Sequence, residues 1–460
     1  MHKQILVYEK KVVIYMYKEN YDSVVIGRGP LGIYTSNKLI KKGQKVLNID
    51  SGIGLKFLRN QIDLKSNIKW NDVEQKPSLN IRASKYHWTG ACMSWPKDLF
   101  QNGVGQNKIP IKYEEMETSI NNVATALKLE NFNFALNKPL YEIDNLTNSE
   151  NFEMLYAIIT KDLFFKNLFE FCNASKNYTF LDNHIVEHIE PLEKSIRISL
   201  TNYENKKNVD LIASNLFLCL GSIENTRTLL KSVQYLDINL EHLGKNLTDH
   251  VSAKVADIHT PNIKKFKSQF HYIDETDNSK LWPRLSYKKN NLAHSFIYAD
   301  SFHTRKGLKK IKNIIDKKSN KAQLNIFFEK EPRESSFLEL SKENKEKLEV
   351  NFVFEESELE SLKLIKNEYI SFLEDNYKNI YIDEKKEFNH SPMSYIESTN
   401  HPCGTTRMSE DKDSGVVNKY SHLWNHGNIF IYGTSVFTRA TNIHPTFASM
   451  TLADFSIENI

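Results

Sequence analysis

The chain has little of what marks several protein classes. Its 460 residues include only four cysteines, Cys92, Cys172, Cys219 and Cys403. None form a CxxC pair and none shares a metal-site spacing with histidine, so neither a disulfide scaffold nor a zinc module is indicated, and no metal is expected. Cys172 and Cys219 read as buried thiols in a reducing compartment, Cys403 as a small packing residue in a turn. No charge of one sign dominates: 61 basic against 57 acidic residues leave a net charge of +4. No basic block interleaves with aromatics, so nucleic acid is not an expected partner. Long apolar runs are missing too. In the opening MHKQILVYEKKVVIYMY the longest uncharged run is VVIYMY, too short for a signal-peptide core or a membrane span. A cytoplasmic location is therefore expected. Met16 stands shortly before a short β-branched strand, and residues 1–15 are expected to be dispensable or an over-extended start. No repeat of 20–50 residues is visible.

What remains is ordinary globular composition, 40% hydrophobic and 26% charged, at a length that normally divides into two or three modules. The most informative local stretch is YDSVVIGRGPLGIYTSNKLIKKGQKVLNIDSG, Tyr21 to Gly52. Ser23 to Ile26 reads as a β-branched strand, Ile33 to Lys42 as a helix stopped by Gly43, and Lys45 to Ile49 as a second strand ending at Asp50. Between the first two lies Gly27-x-Gly29-x-x-Gly32. Gly27 permits the tight turn, Gly29 lets a pyrophosphate approach the backbone, and Gly32 lets helix and strand pack closely. The helix start offers unpaired N–H groups and roughly half a positive charge to phosphates. Asp50 is placed to accept hydrogen bonds from a ribose hydroxyl. The motif alone does not choose between NAD and FAD.

Later segments narrow the choice. NLFLCLGSIENTRTLL (Asn215 to Leu230) reads as strand, glycine turn at Gly221 and helix, with Glu224, Asn225 and Arg227 read as cap and helix surface. HLGKNLTDH (His242 to His250) follows; Asn246, Asp249 and His250 read as loop-fixing residues. Near the end come HPCGTTRM (His401 to Met408), whose Arg407 is expected to support the turn through carbonyls, and GNIFIYGTSVFTRATNIHPTFASM, with a strand over Ile429–Tyr432, a turn at Gly433 and a helix from about Pro445. Pro445 suits the first helical position, where its missing N–H is no loss. No second GxGxxG is present for a nicotinamide cofactor.

Taken together, GRGPLG with Asp50, HWTGA near 87–91, GSIENTRTLL, LGKNLTDH, and the paired HPCGTTRM and HPT resemble the glucose–methanol–choline (GMC) oxidoreductases, which are FAD-dependent. The five segments occur in the family's order from residue 21 to 460. The resemblance implies an α/β fold with an α+β second part: a discontinuous, Rossmann-like FAD-binding domain and an inserted substrate domain built on an antiparallel sheet. The first would comprise residues 16–60, 81–105, 155–255 and 398–460; the second, 106–154 and 256–397. FFEKEPRESSFLELS, LEVNFVF and the helical run to Asn376 fit strand–turn–strand–helix in the second; residues 303–322 read as a solvated surface segment.

In the family, a histidine of the H-x-x-GT-x-R-M segment works with a His or Asn before P-T. Those positions are His401, assigned as base, and His444, assigned as its partner at the substrate oxygen; the roles are exchangeable. Removing an alcohol's hydroxyl proton calls for a base poised near neutrality, and an imidazole has an unperturbed pKa of about 6.5. Around the cofactor the resemblance places Gly27, Gly29, Pro30, Leu31, Gly32, Asp50 and Ser51 at the dinucleotide end. It places His87, Trp88, Thr89, Gly221, Gly433, Thr434, Pro445 and Thr446 along the rest, the last two at a helix N-terminus facing the flavin; Asn442 is a further hydrogen-bonding residue. The HWT triplet resembles pyranose-oxidase-like members, so His87 is a site for a covalent flavin link, beside the alternative of simple stacking or hydrogen bonding. The start of that segment, Ser84-Lys85-Tyr86, departs from the family's Gly-Gly. The expected activity is oxidation of an alcohol CH–OH, a sugar or polyol first, with oxygen or a quinone-like compound reoxidising the flavin. A flavin-containing lyase and a non-catalytic FAD- or ligand-binding protein are the alternatives.

Overall fold

The computed structural model describes residues 3–8, 12–17, 21–51, 61–69, 88, 90–95, 97, 100, 108–129, 131–140, 149–160, 163–270, 273–276, 279–288, 293–298 and 321–460. Along the chain, the elements that matter for the site are strand β1 (Tyr21–Ile26), helix α1 (Pro30–Lys41), β2 (Val46–Ile49), β3 (Phe152–Thr160), β4 (Tyr178–Leu181), β5 (Asn208–Leu218), α2 (Ser222–Ser232), β6 (His250–His259), β7 (Ser279–Tyr287), β8 (Ala293–Tyr298), β9 (Lys321–Glu329), α3 (Glu356–Asn376), β10 (His426–Ile431) and α4 (Pro445–Glu458).

Two sheets divide the work. In the first, β4, β2, β1, β5 and β10 lie side by side and parallel. Val24, Val25 and Ile26 are all buried although alternate residues face opposite sides, as expected where helices cover both faces of a parallel sheet. The expected strand–helix–strand unit is therefore present, the helix beginning at Pro30 with Gly29 as its N-cap and no side chain capping it. The strands Lys3–Tyr8 and Val12–Tyr17, from the segment expected to be dispensable, form an antiparallel pair whose second member joins β5 at Tyr15↔Val209.

The second sheet is antiparallel, in the order Tyr381–Glu384, β6, β9, β8, β7, β3, Ala91–Cys92. Strand β3 pairs with β7 along its whole length, from Thr160↔Ser279 to Phe152↔Tyr287, so it crosses the division expected at residue 155. Helix α3 covers this sheet: the Tyr369 hydroxyl donates to the Leu285 carbonyl at 2.9 Å, and Phe152 packs against Tyr369 and Phe372. The architecture is thus a discontinuous Rossmann-like domain with an inserted antiparallel-sheet domain.

Helix α4 joins the two ends of the chain. Apart from Thr446 and Glu458 its residues are buried, the pattern of a helix enclosed on all sides. Its buried Asp454 accepts from the Tyr34 hydroxyl of α1 at 2.7 Å and from Asn122 at 2.9 Å, and meets Lys38 at 2.7 Å. A buried carboxylate paired in this way is a directional tie rather than a liability. The helix carrying His444 is therefore anchored on the helix that follows the glycine motif. All four cysteines are buried and unlinked.

Candidate active site

The parallel strands of the first sheet end together. β1 runs into Gly27, β2 into Asp50, β5 into Gly221 and β10 into Gly433, so the turns gather at the carboxyl edge, where open α/β sheets bind ligands. Two contacts show why glycine is required. A Cβ on Gly32 would lie 2.0 Å from the Gly27 carbonyl oxygen. Gly433 has φ +140° and ψ −176°, a conformation essentially restricted to glycine; beside it the nearest foreign atom to an added Cβ would be Asn225 Nδ2 at 3.4 Å. Asp50 stands at the end of β2 and accepts the Arg28 N–H at 2.8 Å. Ser51 beside it is partly exposed, Leu31 is buried in the first turn of α1, and Trp88 packs partly buried against the core. His87 and Thr89 lie outside the described residues.

Asn225, read from the sequence as helix surface, is fully buried. Its Oδ1 accepts the Leu220 N–H at 2.9 Å and its Nδ2 donates to the Tyr432 carbonyl at 3.0 Å. It holds the Gly221 and Gly433 turns together. Thr434 extends the link, its hydroxyl donating to the Pro402 carbonyl at 2.6 Å, while the Thr406 and Met408 N–H groups bond to Ser435 and Val436. The HPCGTTRM segment therefore runs along the turn that follows β10. Arg407, buried in that segment, approaches His242 at 3.5 Å.

His401 and His444 come together edge to face, with ring centroids 5.8 Å apart and planes at 85°. His444 is the N-cap of α4 and Pro445 its first residue, as the sequence predicted; Thr446 follows, partly exposed. His401 follows the short strand Ile396–Ser398, which pairs with β6 at Val251↔Ser398. That pairing brings a third imidazole in: His250, first residue of β6, places Nδ1 3.2 Å from His401 Nδ1. From β7, Arg284 hydrogen-bonds through Nη2 to His444 Nε2, and its guanidinium sits 3.6 Å above the Trp282 ring, a cation–π contact. Glu329, opposite His250 on β9, grips Arg439 in a fork at 2.8 and 2.6 Å. This bidentate pair fixes the loop leading to His444.

The cluster is held neutral. Burial pushes His401 down to about 3, helped by His250 and Arg284; burial pushes His250 down to about 4 against the pull of Glu329 and the Thr441 and Ala440 carbonyls. Asp249, His250 and His401 also bring ligand atoms within 4.8 Å of one another. However, Asp249 Oδ1 accepts the His401 N–H at 3.1 Å and faces the Thr399 hydroxyl at 3.4 Å.

Sequence reasoning paired His401 with His444 but read His250 as a loop-fixing residue and passed over Arg284. The signal for Arg284 was there: an arginine inside the apolar strand SKLWPRLSY, wholly buried in the structure, demands a polar purpose.

Fold and site together give a Rossmann-like domain and an antiparallel-sheet domain with a buried imidazole cluster between them. Residues 274–453 match the sequence profile of the family GMC oxidoreductase; this segment contains β7, His401 and His444. Among solved structures, the crystal structure of pyridoxine 4-oxidase from Mesorbium loti is similar to this chain with a TM-score of 0.60 and 14% identity, covering 96% of this chain and 99% of that one. At that identity the likeness is one of fold. No curated protein matches the chain in sequence. Among the described residues, no helix is long and apolar enough to cross a membrane.

The residues present fit FAD. Gly27 and Gly32 leave no room for a Cβ, the start of α1 has no side-chain cap and so suits a phosphate, and Asp50 follows β2, where dinucleotide-binding folds carry the acid that meets a ribose. At the other end, Asn442 gives its Nδ2 to Ser286 at 3.3 Å, while its buried Oδ1 meets no donor among the described residues, a place for a ring N–H.

Proposed function

We propose that the whole chain is an FAD-dependent oxidoreductase of the GMC family that oxidises an alcohol CH–OH, a sugar or polyol being the substrate class favoured by the HWT segment. The observation that carries the reading is the His401–His444 pair, set edge to face on segments tied to the glycine-lined carboxyl edge of the parallel sheet. FAD, when bound, supplies the hydride acceptor; the protein must hold the alcohol and take its proton.

The geometry supports His401 as base. The Arg284 guanidinium has only donors, so its contact to His444 uses the Nε2 lone pair of that ring. His444 is then a donor through Nδ1, suited to hold the substrate oxygen. The Arg284 cation is also felt at His401, where it disfavours the imidazolium. The same charge favours an alkoxide as the hydroxyl proton leaves. A retained base and a placed cation argue against a purely binding role.

Anaerobic titration with a panel of sugars, polyols and pyridoxine, followed in the visible spectrum, tests the reading. Bleaching of the flavin by one of them is expected; turnover without bleaching would mean a lyase, and neither would mean a binding protein. Admitting air or a quinone afterwards shows which acceptor restores the colour. A link through His87 is tested by acid precipitation and filtration: flavin that stays with the protein supports it, and colour passing wholly into the filtrate ends it.

A further inference from the structure

We propose that His250 is a positioning residue that fixes the tautomer of His401. By accepting the His401 Nδ1 proton it leaves the Nε2 lone pair as the basic one. The proposal deepens the reading of His401 as base and rests on it for its functional meaning, but its evidence is separate.

A short contact between two imidazole nitrogens needs one proton between them. Two lone pairs at 3.2 Å would repel, and two N–H groups would collide. The question is which ring donates, and Thr399 answers it. Its hydroxyl oxygen lies 3.2 Å from His401 Nδ1. The hydroxyl proton has two other acceptors, Asp249 Oδ1 at 3.4 Å and the His250 carbonyl at 3.2 Å, neither of which can donate. Thr399 therefore turns a lone pair towards His401 Nδ1. With acceptors on both sides, that nitrogen carries the proton. With His401 Nδ1 donating, the His250 Nδ1 lone pair is the acceptor, and the one proton of the neutral His250 ring sits on Nε2. Donor and acceptor then run in one sense, from His401 Nδ1–H to His250 Nδ1. Arg284 sets the other ring by occupying His444 Nε2. His401 Nε2 is then the basic nitrogen of the pair.

The same atoms bound by a divalent cation would show the opposite state, because a ligating nitrogen needs a lone pair on both Nδ1 atoms. The two cases are separable without substrate. In chelator-treated holoenzyme labelled with 15N-histidine, long-range 1H–15N spectra at pH 8 report each ring's tautomer, with His401 assigned by its loss in His401→Gln. We expect a pyrrole-type Nδ1 and a pyridine-type Nε2 at His401. In His250→Phe, which keeps a ring but no acceptor, the Nε2-protonated form should gain population; in His250→Asn, whose Oδ1 accepts, the wild-type pattern should return. With the alcohol that bleaches the flavin most strongly, His250→Phe should lower kcat by at least about tenfold with little change in KM, as for a base held in the wrong tautomer, and His250→Asn should recover it. A protonated Nε2 at His401 in the wild type, pyridine-type signals at both Nδ1 atoms, or an unchanged tautomer in His250→Phe would each overturn the proposal. The wild-type spectrum decides even if His250→Phe fails to fold. If no alcohol bleaches the flavin, the functional reading fails while the tautomer result stands.

Discussion

The glycine-lined cradle and the histidine cluster are both ligand-facing, yet they are built from opposite materials. The cradle is backbone. Its parts are turns at strand ends, an uncapped helix start and positions where a Cβ cannot stand, such as Gly32. The cluster is side chains from separate places: His250 from the start of β6, Arg284 from the middle of β7, His401 after Ile396–Ser398 and His444 from the cap of α4. Local chain geometry suffices for the Gly27–Asp50 part of the first. The second exists only once two sheets and the α1–α4 contact through Asp454 are in place.

That difference explains what could be read in advance. Gly27, Gly29, Gly32 and Asp50 act through spacing along one short stretch, so the motif and its β1–α1–β2 unit were legible. Pro445 at the first turn of α4 was legible for the same reason, being a local rule. His401 and His444 were found because each sits in a distinctive segment. The His250–His401 contact was not, because it depends on the register Val251↔Ser398, which no local pattern encodes. Asn225 was misread because helix periodicity does not show that a second turn, from β10, closes over that face.

The comparison breaks most sharply at the base. His401→Ala should lower kcat by roughly 10²–10⁴-fold, the usual contribution of a general base, while the flavin spectrum and its affinity stay as in the wild type. Rapid-mixing reduction of the flavin measures the first and titration the second. Loss of flavin together with activity would mean that the cluster and the cradle are not separable.

Glu329→Gln comes next. It removes one partner of a buried, bidentate pair and leaves the Arg439 charge without its counter-ion. Breaking such a pair costs about 3 kcal/mol, to be read as a lower denaturant midpoint. Since Arg439 lies in the loop before His444, substrate reduction of the flavin should also slow, whereas a loss confined to stability would make the pair purely structural. On the cradle side, Gly433→Ala should cost about 1–3 kcal/mol of backbone strain. Flavin binding should weaken, with the rate of reduction in the fully loaded protein almost unchanged, the reverse of His401→Ala.

The smallest effect concerns protons. His422, on the hairpin leading into β10, packs edge-on to Phe430 at 4.4 Å, and burial holds it down at about 4. Like His250 and His401 it is neutral when folded, but it lies with the parallel sheet rather than in the cluster. In the unfolded chain all three take up a proton near pH 6.5. Where the unfolded state binds more protons, stability rises with pH. Their contribution is therefore complete above about pH 6.5 and is lost as pH falls towards the folded values of about 4 and about 3. For His422 the shift allows at most ~3 kcal/mol at about 1.4 kcal/mol per pH unit, and its partial exposure trims that to about 1–2 kcal/mol. Melting temperatures should hold between pH 8 and about 6.5 and then fall towards pH 4 for the wild type, less steeply for His422→Leu. His401→Ala should also flatten the fall, but only it should alter reduction of the flavin. Equal effects of the two variants on flavin reduction would show that neutral burial, rather than position in the cluster, is what the reaction requires.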